Sequence, residues 1–309
     1  VATGVVGWIG FGAVFSSLAA IGWRGLGVLC LWSAVPFGLL GTAWFLLAPG
    51  MPARRWRSFV WSRVLRDSAS ELLPFSQLGG FVIGARAAVL QGLTPTLASS
   101  TTVVDVTTEL IAQIGFTGLG VAMLAARLGE GGAHGPLVGA GLVGLGLTAA
   151  GALALIAVQR RGAGPIERLV ARFGPGAAKR VADFGRAVNA LYDRPAALAW
   201  AVACHLAAWI ASAAGVWLAL KVAGVGVGLP AILALEALVC AVRSAAFVAP
   251  MGVGVQEATY ALVGPLFGLT PEMSLAVSLL KRARDLVIGA PALLIWQAAE
   301  GRRLVGGIG

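Results

Sequence analysis

A segment that occurs twice is the feature that most constrains how this chain can fold. Residues 72–110 recur as residues 248–286, 176 positions further along, and both copies contain the sequence GLTP, at 92–95 and at 268–271. In each copy a short apolar segment broken by Pro and Gly precedes GLTP, and a long apolar helix with charges near its middle follows it. Paired interrupted segments in two halves are typical of a transporter binding site. The alternative is that two unrelated Pro/Gly turns share GLTP by chance.

The composition places this chain in a lipid environment. Of its 309 residues 58% are hydrophobic and 12% are charged, whereas a soluble domain has about 25% charged residues. Apolar runs of about twenty residues, the length of a membrane span, occur at 4–22, 26–48, 97–127, 136–158, 196–221 and 272–296. We therefore predict an all-α polytopic membrane protein. The net charge of +10 would also suit nucleic-acid binding, but a chain this apolar offers no fold for it, so nucleic acid is excluded as a partner.

The basic residues predict how the chain is oriented. Five Arg lie in 51–71 and eight Lys or Arg lie in 160–195, so the positive-inside rule places both segments in the cytoplasm. Arg mixed with aromatic residues in 51–71 predicts a helix on the membrane surface. The loop around Glu130 is almost free of positive charge and is predicted to face outward.

This orientation predicts an inverted-topology repeat with two re-entrant or broken-helix segments, 72–90 and 250–266. The first would enter the membrane from inside and the second from outside. The inversion would fail if 230–248 were a full span. The predicted domains are a first membrane half (1–159), a cytoplasmic amphipathic connector (160–195) and a second membrane half (196–309).

Ionisable residues inside the apolar runs are the candidates for function, because charges are costly in a bilayer and mark a pathway or a site. Asp105 and Glu109 share a helix face, as do Lys281 and Asp285. The candidate lipid-binding residues are Gln77, Gly79, Gly80, Arg86, Asp105, Glu109, Glu236, Arg243, Gln256, Glu257, Lys281, Arg284 and Asp285.

Each of these candidates has a structural alternative. The acids Asp105 and Glu109 could form ion pairs between the halves with Lys281, Arg282 and Arg284, which would only hold the bundle together. Backbone N–H groups at Gly79 and Gly80 could bind an anion, or the two glycines could allow close helix packing. His205 is interpreted as a satisfied histidine of the bundle, with a proton relay as the alternative.

Signs of metal, cofactor and catalytic chemistry are missing. The cysteines Cys30, Cys204 and Cys240 are scattered in apolar runs without metal-ligand spacing. The chain has no P-loop, no dinucleotide-binding glycine pattern, no HExxH and no nucleophile elbow. We therefore predict no catalytic residues, no metal and no cofactor.

The two repeats also carry a family resemblance. The runs LLPFSQLGGFVIGARAAVLQG, SSTTVVDVTTELIAQ and RSAAFVAPMGVGVQEATYALVGPLFGLTPEMSLAVSLLKRARDLVIGAPALLIWQ resemble the membrane, or flippase, region of the lysylphosphatidylglycerol synthase superfamily. They look most like its stand-alone branch associated with hopanoid biosynthesis. The family's polar motifs fall on Gln77, Gly79, Gly80, Arg86, Asp105, Arg243, Gln256, Glu257 and Arg284. Phe81 departs from them, because relatives carry an acid there. No soluble aminoacyl-transferase domain is present in these residues, so synthase activity is not implied.

The resemblance implies lipid translocation. We expect a multi-pass protein of the bacterial inner membrane that moves an amphiphilic lipid through a polar groove between its halves. The expected partners are membrane lipids, either a hopanoid or an anionic or aminoacylated phospholipid, with a homodimer and lipid-biosynthesis enzymes as further candidates. Two other functions stay open: a membrane-embedded lipid-modifying transferase, and a non-transporting subunit of a lipid-synthesis complex.

Overall fold

The computed structural model describes residues 11–73, 76–128, 135–161, 164, 175–245 and 254–306. Within these ranges the chain forms eleven α-helices and no strand. The first six are α1 (Phe11–Trp32), α2 (Ala34–Leu47), α3 (Trp56–Leu72), α4 (Ser76–Leu90), α5 (Pro95–Leu128) and α6 (Gly135–Arg161). The others are α7 (Pro175–Tyr192), α8 (Pro195–Val222), α9 (Leu229–Ala245), α10 (Val255–Val263) and α11 (Pro271–Gly306). Short 3-10 turns occupy Ala53–Arg55 and Gly264–Phe267.

The helices confirm an all-α polytopic membrane protein. In the described part of the chain, four stretches are long and apolar enough to cross a membrane: Ala19–Leu47, Pro95–Ala126, Gly141–Arg161 and Pro195–Val222. On α6, Leu147 and Leu153 are each 68% exposed. A broad apolar surface of this kind is stable against lipid but would aggregate in water.

The first membrane segment breaks at a glycine. The sequence predicted two spans, 4–22 and 26–48, with a loop around Arg24. Instead α1 runs from residue 11 to residue 32 and is interrupted inside by Gly22, whose φ of 59° is not helical. Glycine tolerates this conformation because it has no Cβ.

The two GLTP turns have the same conformation, as their shared sequence predicts. Gly92 and Gly268 both have positive φ, 94° and 87°. The side-chain oxygens of Thr94 and Thr270 each accept a hydrogen bond from the backbone N–H three residues later, at 3.3 and 3.2 Å, at the start of a long helix. The two copies therefore share a backbone angle and a helix cap as well as a sequence.

From here on each repeat is taken with the helix that precedes it. The first repeat then contains α3, α4 and α5, and the second contains α9, α10 and α11. Two glycines of α4 allow it to pack tightly and antiparallel on α3. A Cβ at Gly80 would lie 2.0 Å from the Ser70 hydroxyl, and one at Gly84 would lie 2.8 Å from Cβ of Arg66. Close packing is therefore what the structure shows for Gly80, as in other small-residue helix contacts in membranes.

The repeats interlock, because the first helix of each packs on the last helix of the other. Gly289 of α11 contacts Ser68 and Leu72 of α3, while Gly120 of α5 contacts Ala234 and Ala237 of α9.

The helix directions fit the predicted inverted repeat. Helices α3 and α11 are antiparallel, since Trp61 near the start of α3 and Trp296 late in α11 belong to one apolar cluster with Leu65, Ala292 and Leu293. Helices α3 and α5 run in the same direction: Trp44 links Phe59 to Thr101, and the next turns are joined by ion pairs described below. Helix α5 and its counterpart α11 therefore run in opposite directions.

The two interrupted segments differ in structure. Residues 76–90 form one unbroken helix, so the break lies before it and not at Gly79 and Gly80. In the second repeat a nine-residue helix, α10, continues into the 3-10 turn Gly264–Phe267. Fifteen residues of helix reach about 22 Å, short of a bilayer core of about 30 Å. A re-entrant arrangement stays a prediction, and residues 250–253 lie outside the described residues.

Helix α3, which forms within the predicted surface segment 51–71, is packed into the bundle, and its position relative to the membrane surface stays a prediction. It packs against α2, α4 and α11, and Phe59 and Leu65 are at most 1% exposed. Two of its arginines are also buried, because acidic side chains of α5 face them. Helix 175–192 does follow the predicted amphipathic pattern, since Val188 and Leu191 are buried; the connector's first predicted helix lies outside the described residues.

Candidate functional site

A cluster of six ionisable side chains lies where α3, α5 and α8 meet; we call it the α3–α5–α8 cluster. Its members are Arg63, Arg66 and Asp67 of α3, Asp105 and Glu109 of α5, and His205 of α8. Asp67 is 26% and Glu109 is 18% exposed at the side chain, and the other four are at most 3% exposed. The cluster is therefore buried, with its more open side at Asp67 and Glu109.

Two arginines and two acids form a closed set of ion pairs in this cluster. Oδ2 of Asp105 accepts hydrogen bonds from Nη1 of Arg63 at 2.9 Å and from Nη1 of Arg66 at 2.6 Å. The Nη2 atoms of the same arginines donate to the two oxygens of Glu109, at 2.5 and 2.6 Å. Charge-assisted pairs of this length are the strong ones, and burial of charges requires them.

The other oxygen of Asp105 faces the histidine. Nε2 of His205 lies 3.0 Å from Oδ1 of Asp105. Nε of Arg63 in turn lies 3.0 Å from the carboxylate of Asp67. The structure therefore supports the interpretation of His205 as a partnered histidine of the bundle, at least for this nitrogen.

The second repeat holds a smaller cluster at the corresponding place, formed by Glu236, Tyr260 and Lys281. Lys281 lies 176 residues after Asp105 and carries the opposite charge. Its Nζ donates to Glu236 at 2.6 Å and lies 3.0 Å from the Tyr260 hydroxyl, which itself donates to Glu236. Each repeat thus pairs its own central charge internally.

A third group of contacts joins the two repeats. Nη2 of Arg243, on α9, donates to Glu71 at the end of α3 at 2.6 Å. Nη1 of Arg243 donates to Gln256 at 3.0 Å, and the Gln256 amide donates to the Ser278 hydroxyl at 2.9 Å. This chain of polar contacts crosses from the first repeat into the second.

Further charges of α11 lie beside this link. Arg282 pairs with Glu257 at 3.0 Å, and Arg284 pairs with Asp285 at 2.5 Å. The other oxygen of Glu257 accepts the Gly254 backbone N–H at 2.8 Å, which fixes the start of α10. Both Arg282 and Arg284 also interact with the charge of Glu71. Three basic side chains of the second repeat, Arg243, Arg282 and Arg284, therefore interact with the charge of one acid of the first.

The predicted partners of Asp105 and Glu109 were wrong. They pair with Arg63 and Arg66 of their own repeat, and not with Lys281, Arg282 and Arg284. The reason is that the long side chains of Arg63 and Arg66 extend from α3 to the acidic face of α5, which runs in the same direction.

The remaining predicted residues lie apart from these clusters. Arg86, which is 49% exposed at its side chain, pairs with Glu300 at 2.6 Å near the end of α11. Gly79 and Gly80 lie in the first turns of α4, with Gly80 against α3. The side chain of Gln77 lies outside the described residues.

Sequence reasoning missed Arg63, Arg66, Glu71 and Tyr260. Arg63 and Arg66 are three residues apart and share a helix face, which was the available signal, but an Arg-rich segment also fits cytoplasmic positive charge. Nothing in the sequence distinguishes Glu71 or Tyr260 from surface residues.

The chemistry available here is charge pairing and hydrogen bonding. Among the described residues no group of three His, Cys, Asp or Glu side chains could hold a metal ion, and none of the three cysteines forms a disulfide there. The arrangement can exchange partners with a charged or hydrogen-bonding group that enters between the helices.

Comparison with known proteins gives one match. A family model described as the lysylphosphatidylglycerol synthase TM region matches residues 1–292. No curated protein and no solved structure matches the chain significantly. The match covers both repeats and all three charge clusters.

Proposed function

Because the chain belongs to the family of the lysylphosphatidylglycerol synthase TM region, we propose that it is a lipid transporter of the bacterial inner membrane. It would move an amphiphilic lipid, a hopanoid or a phospholipid-like molecule, through a polar groove between the two repeats. The headgroup would travel among the charged side chains while the apolar tails stay in the bilayer.

The Arg243–Glu71 link is the observation that carries this proposal. It joins α9 of one repeat to α3 of the other, and both side chains keep some exposure, 28% and 23%. Buried ion pairs do not by themselves stabilise a bundle more than apolar packing would. Many paired charges inside a membrane protein therefore favour a functional pathway.

The physical requirement for lipid transport is a place where a headgroup can leave water without losing its hydrogen bonds, since burying an unpaired polar group is costly. The polar side chains that join the two repeats, Arg243, Glu71, Gln256 and Ser278, provide such a place. A headgroup entering there would displace neighbouring partners of Arg243, Arg282 and Arg284 and take their hydrogen bonds.

Lipid movement in proteoliposomes tests the proposal. Purified protein is reconstituted with trace fluorescent lipid, and the loss of fluorescence on adding an impermeant quencher measures movement between leaflets. Arg284→Gln and Glu257→Gln are expected to slow this movement while the protein still folds and inserts.

Arg186→Gln is the matched control, because Arg186 also pairs with an acid, Asp183, but is 74% exposed at its side chain. We expect it to transport like the wild type. Normal transport by Arg284→Gln, or a loss explained entirely by unfolding, would remove Arg284 from the site.

Two other results would replace the proposal. Modification of a lipid by the purified protein with a soluble donor would make it a transferase. Stoichiometric copurification with lipid-synthesis enzymes, without any lipid movement, would make it a non-transporting subunit.

A further inference from the structure

One ring nitrogen of His205 has no hydrogen-bond partner among the described residues. The side chain is 0% exposed, and Nδ1 has no hydrogen bond to any described residue. An ionised Asp105 can only accept, so Nε2 is the donor in their 3.0 Å contact. Nδ1 is therefore the atom at which the imidazole can gain a proton.

The net charge around His205 is negative enough to accept that proton. Two guanidinium groups, of Arg63 and Arg66, face three carboxylates, of Asp67, Asp105 and Glu109. With a neutral imidazole the α3–α5–α8 cluster carries one negative charge, and with a protonated imidazole it carries none.

The other helices near α8 add no charged partner to His205 in the described part of the chain, so the net charge of the cluster stands. Helix α2 has no ionisable residue. The other ionisable side chains on α8 and the helices packed against it are Arg24 and Cys30 of α1, Arg127 of α5, Lys179, Arg180, Asp183, Arg186 and Tyr192 of α7, Cys204 and Lys221 of α8, and Glu236, Cys240 and Arg243 of α9. None of these forms a hydrogen bond or ion pair with His205 within the described ranges, and the Cys240 thiol interacts with the charge of Glu109.

An anionic headgroup fits the same cluster only when the proton is there. Arg63 and Arg66 both contact Glu109, which is partly exposed, so a phosphate could compete with that carboxylate for the two guanidinium groups. An added monoanion would raise the buried charge to two negatives. An added monoanion and a proton together would leave the charge unchanged.

We propose that the α3–α5–α8 cluster binds one proton at Nδ1 of His205 together with an anionic lipid headgroup at Arg63 and Arg66. The inference rests on the proposed function, because it names the lipid class and couples its movement to protons. The proton comes from the water on the side where the lipid enters and returns to the water on the other side. No covalent bond is made or broken in the protein.

The proton site is tested without any transport measurement. The chain has two histidines, His134 and His205, so protein labelled with ¹⁵N-histidine and carrying His134→Gln gives the ring signals of His205 alone. We expect Nε2 to be protonated throughout, and Nδ1 to change from unprotonated to protonated as the pH is lowered. A ring that keeps one protonation state wherever the protein stays folded would overturn the proton site.

The coupling is tested in phosphatidylcholine vesicles containing trace fluorescent phosphatidylglycerol. An acidic exterior is expected to speed its movement from the outer to the inner leaflet by up to about tenfold per pH unit, the limit for a single required proton. Fluorescent phosphatidylcholine, which has no net charge, should not respond to the gradient. Phosphatidylglycerol that moves at the same rate with and without the gradient would overturn the coupling and leave lipid transport standing.

Failure of the proposed function has a different signature. If neither labelled lipid moves under any gradient, lipid transport itself is refuted, and the coupling with it. His205→Gln keeps a side-chain N–H for Asp105 but cannot bind a proton, so it should lose the response to the gradient, whereas His134→Gln should keep it. A His205→Gln protein that still responds would contradict the assignment.

Discussion

Replacing Asp105 with Ala should be among the most destabilising single changes in this protein. Asp105 is 0% exposed and takes contacts from Arg63 at 2.9 Å, Arg66 at 2.6 Å and His205 at 3.0 Å. Without it two buried guanidinium groups share the remaining carboxylates, and Nε2 of His205 loses its acceptor. Removing one partner of a buried ion pair costs about 3–5 kcal/mol, so we expect the free energy of unfolding to fall by about that amount.

Unfolding in detergent micelles, followed by circular dichroism over a denaturant series, measures this loss. Asp183→Ala is the control, because its pair with Arg186 is exposed and exposed pairs contribute at most about 1 kcal/mol. Asp105→Asn is a companion variant that keeps the shape and one acceptor oxygen but removes the charge. If Asp105→Ala unfolds with the wild-type free energy, the cluster is not held by the contacts described here.

Three further predictions concern packing, backbone and orientation. Gly80→Ala should destabilise the fold by about 1–3 kcal/mol, because its Cβ would meet the Ser70 hydroxyl and a backbone carbonyl at 2.0 and 2.6 Å; Gly151→Ala, with no atom within 4 Å, should be neutral or stabilising in the same thermal assay. Gly268→Val should cost about 1–3 kcal/mol, since φ is 87°, and a normal melting temperature would contradict the described turn. With the native cysteines replaced, an impermeant maleimide on intact cells should label a cysteine at 130 but not one at 170; the reverse pattern would invert the orientation.

The sequence was sufficient to predict the features that depend on local pattern. The GLTP repeat, the two long helices that follow it and the shared face of Asp105 and Glu109 all appear in the structure. These features arise from turn chemistry and helix periodicity, which are properties of neighbouring residues.

The partners of the charges could not be predicted, because they depend on which helices touch. Arg63 and Arg66 look like cytoplasmic surface charges until α3 is known to pack beside α5. Likewise, Arg243 and Glu71 lie 172 residues apart and meet only because the repeats interlock.

The roles of individual glycines likewise could not be predicted from the sequence. Gly22 breaks a helix, whereas Gly80 lies within one and permits close contact. The residue type is the same, and only the neighbouring helix decides the role. A four-residue spacing such as that of Gly80 and Gly84 indicates packing but does not name the partner helix.

The packing of each repeat on the other has a consequence for how the fold can assemble. Because α3 packs on α11 and α9 packs on α5, a single repeat leaves two helix faces that only the other repeat covers. We therefore expect neither half of the chain to be stable when it is produced without the other.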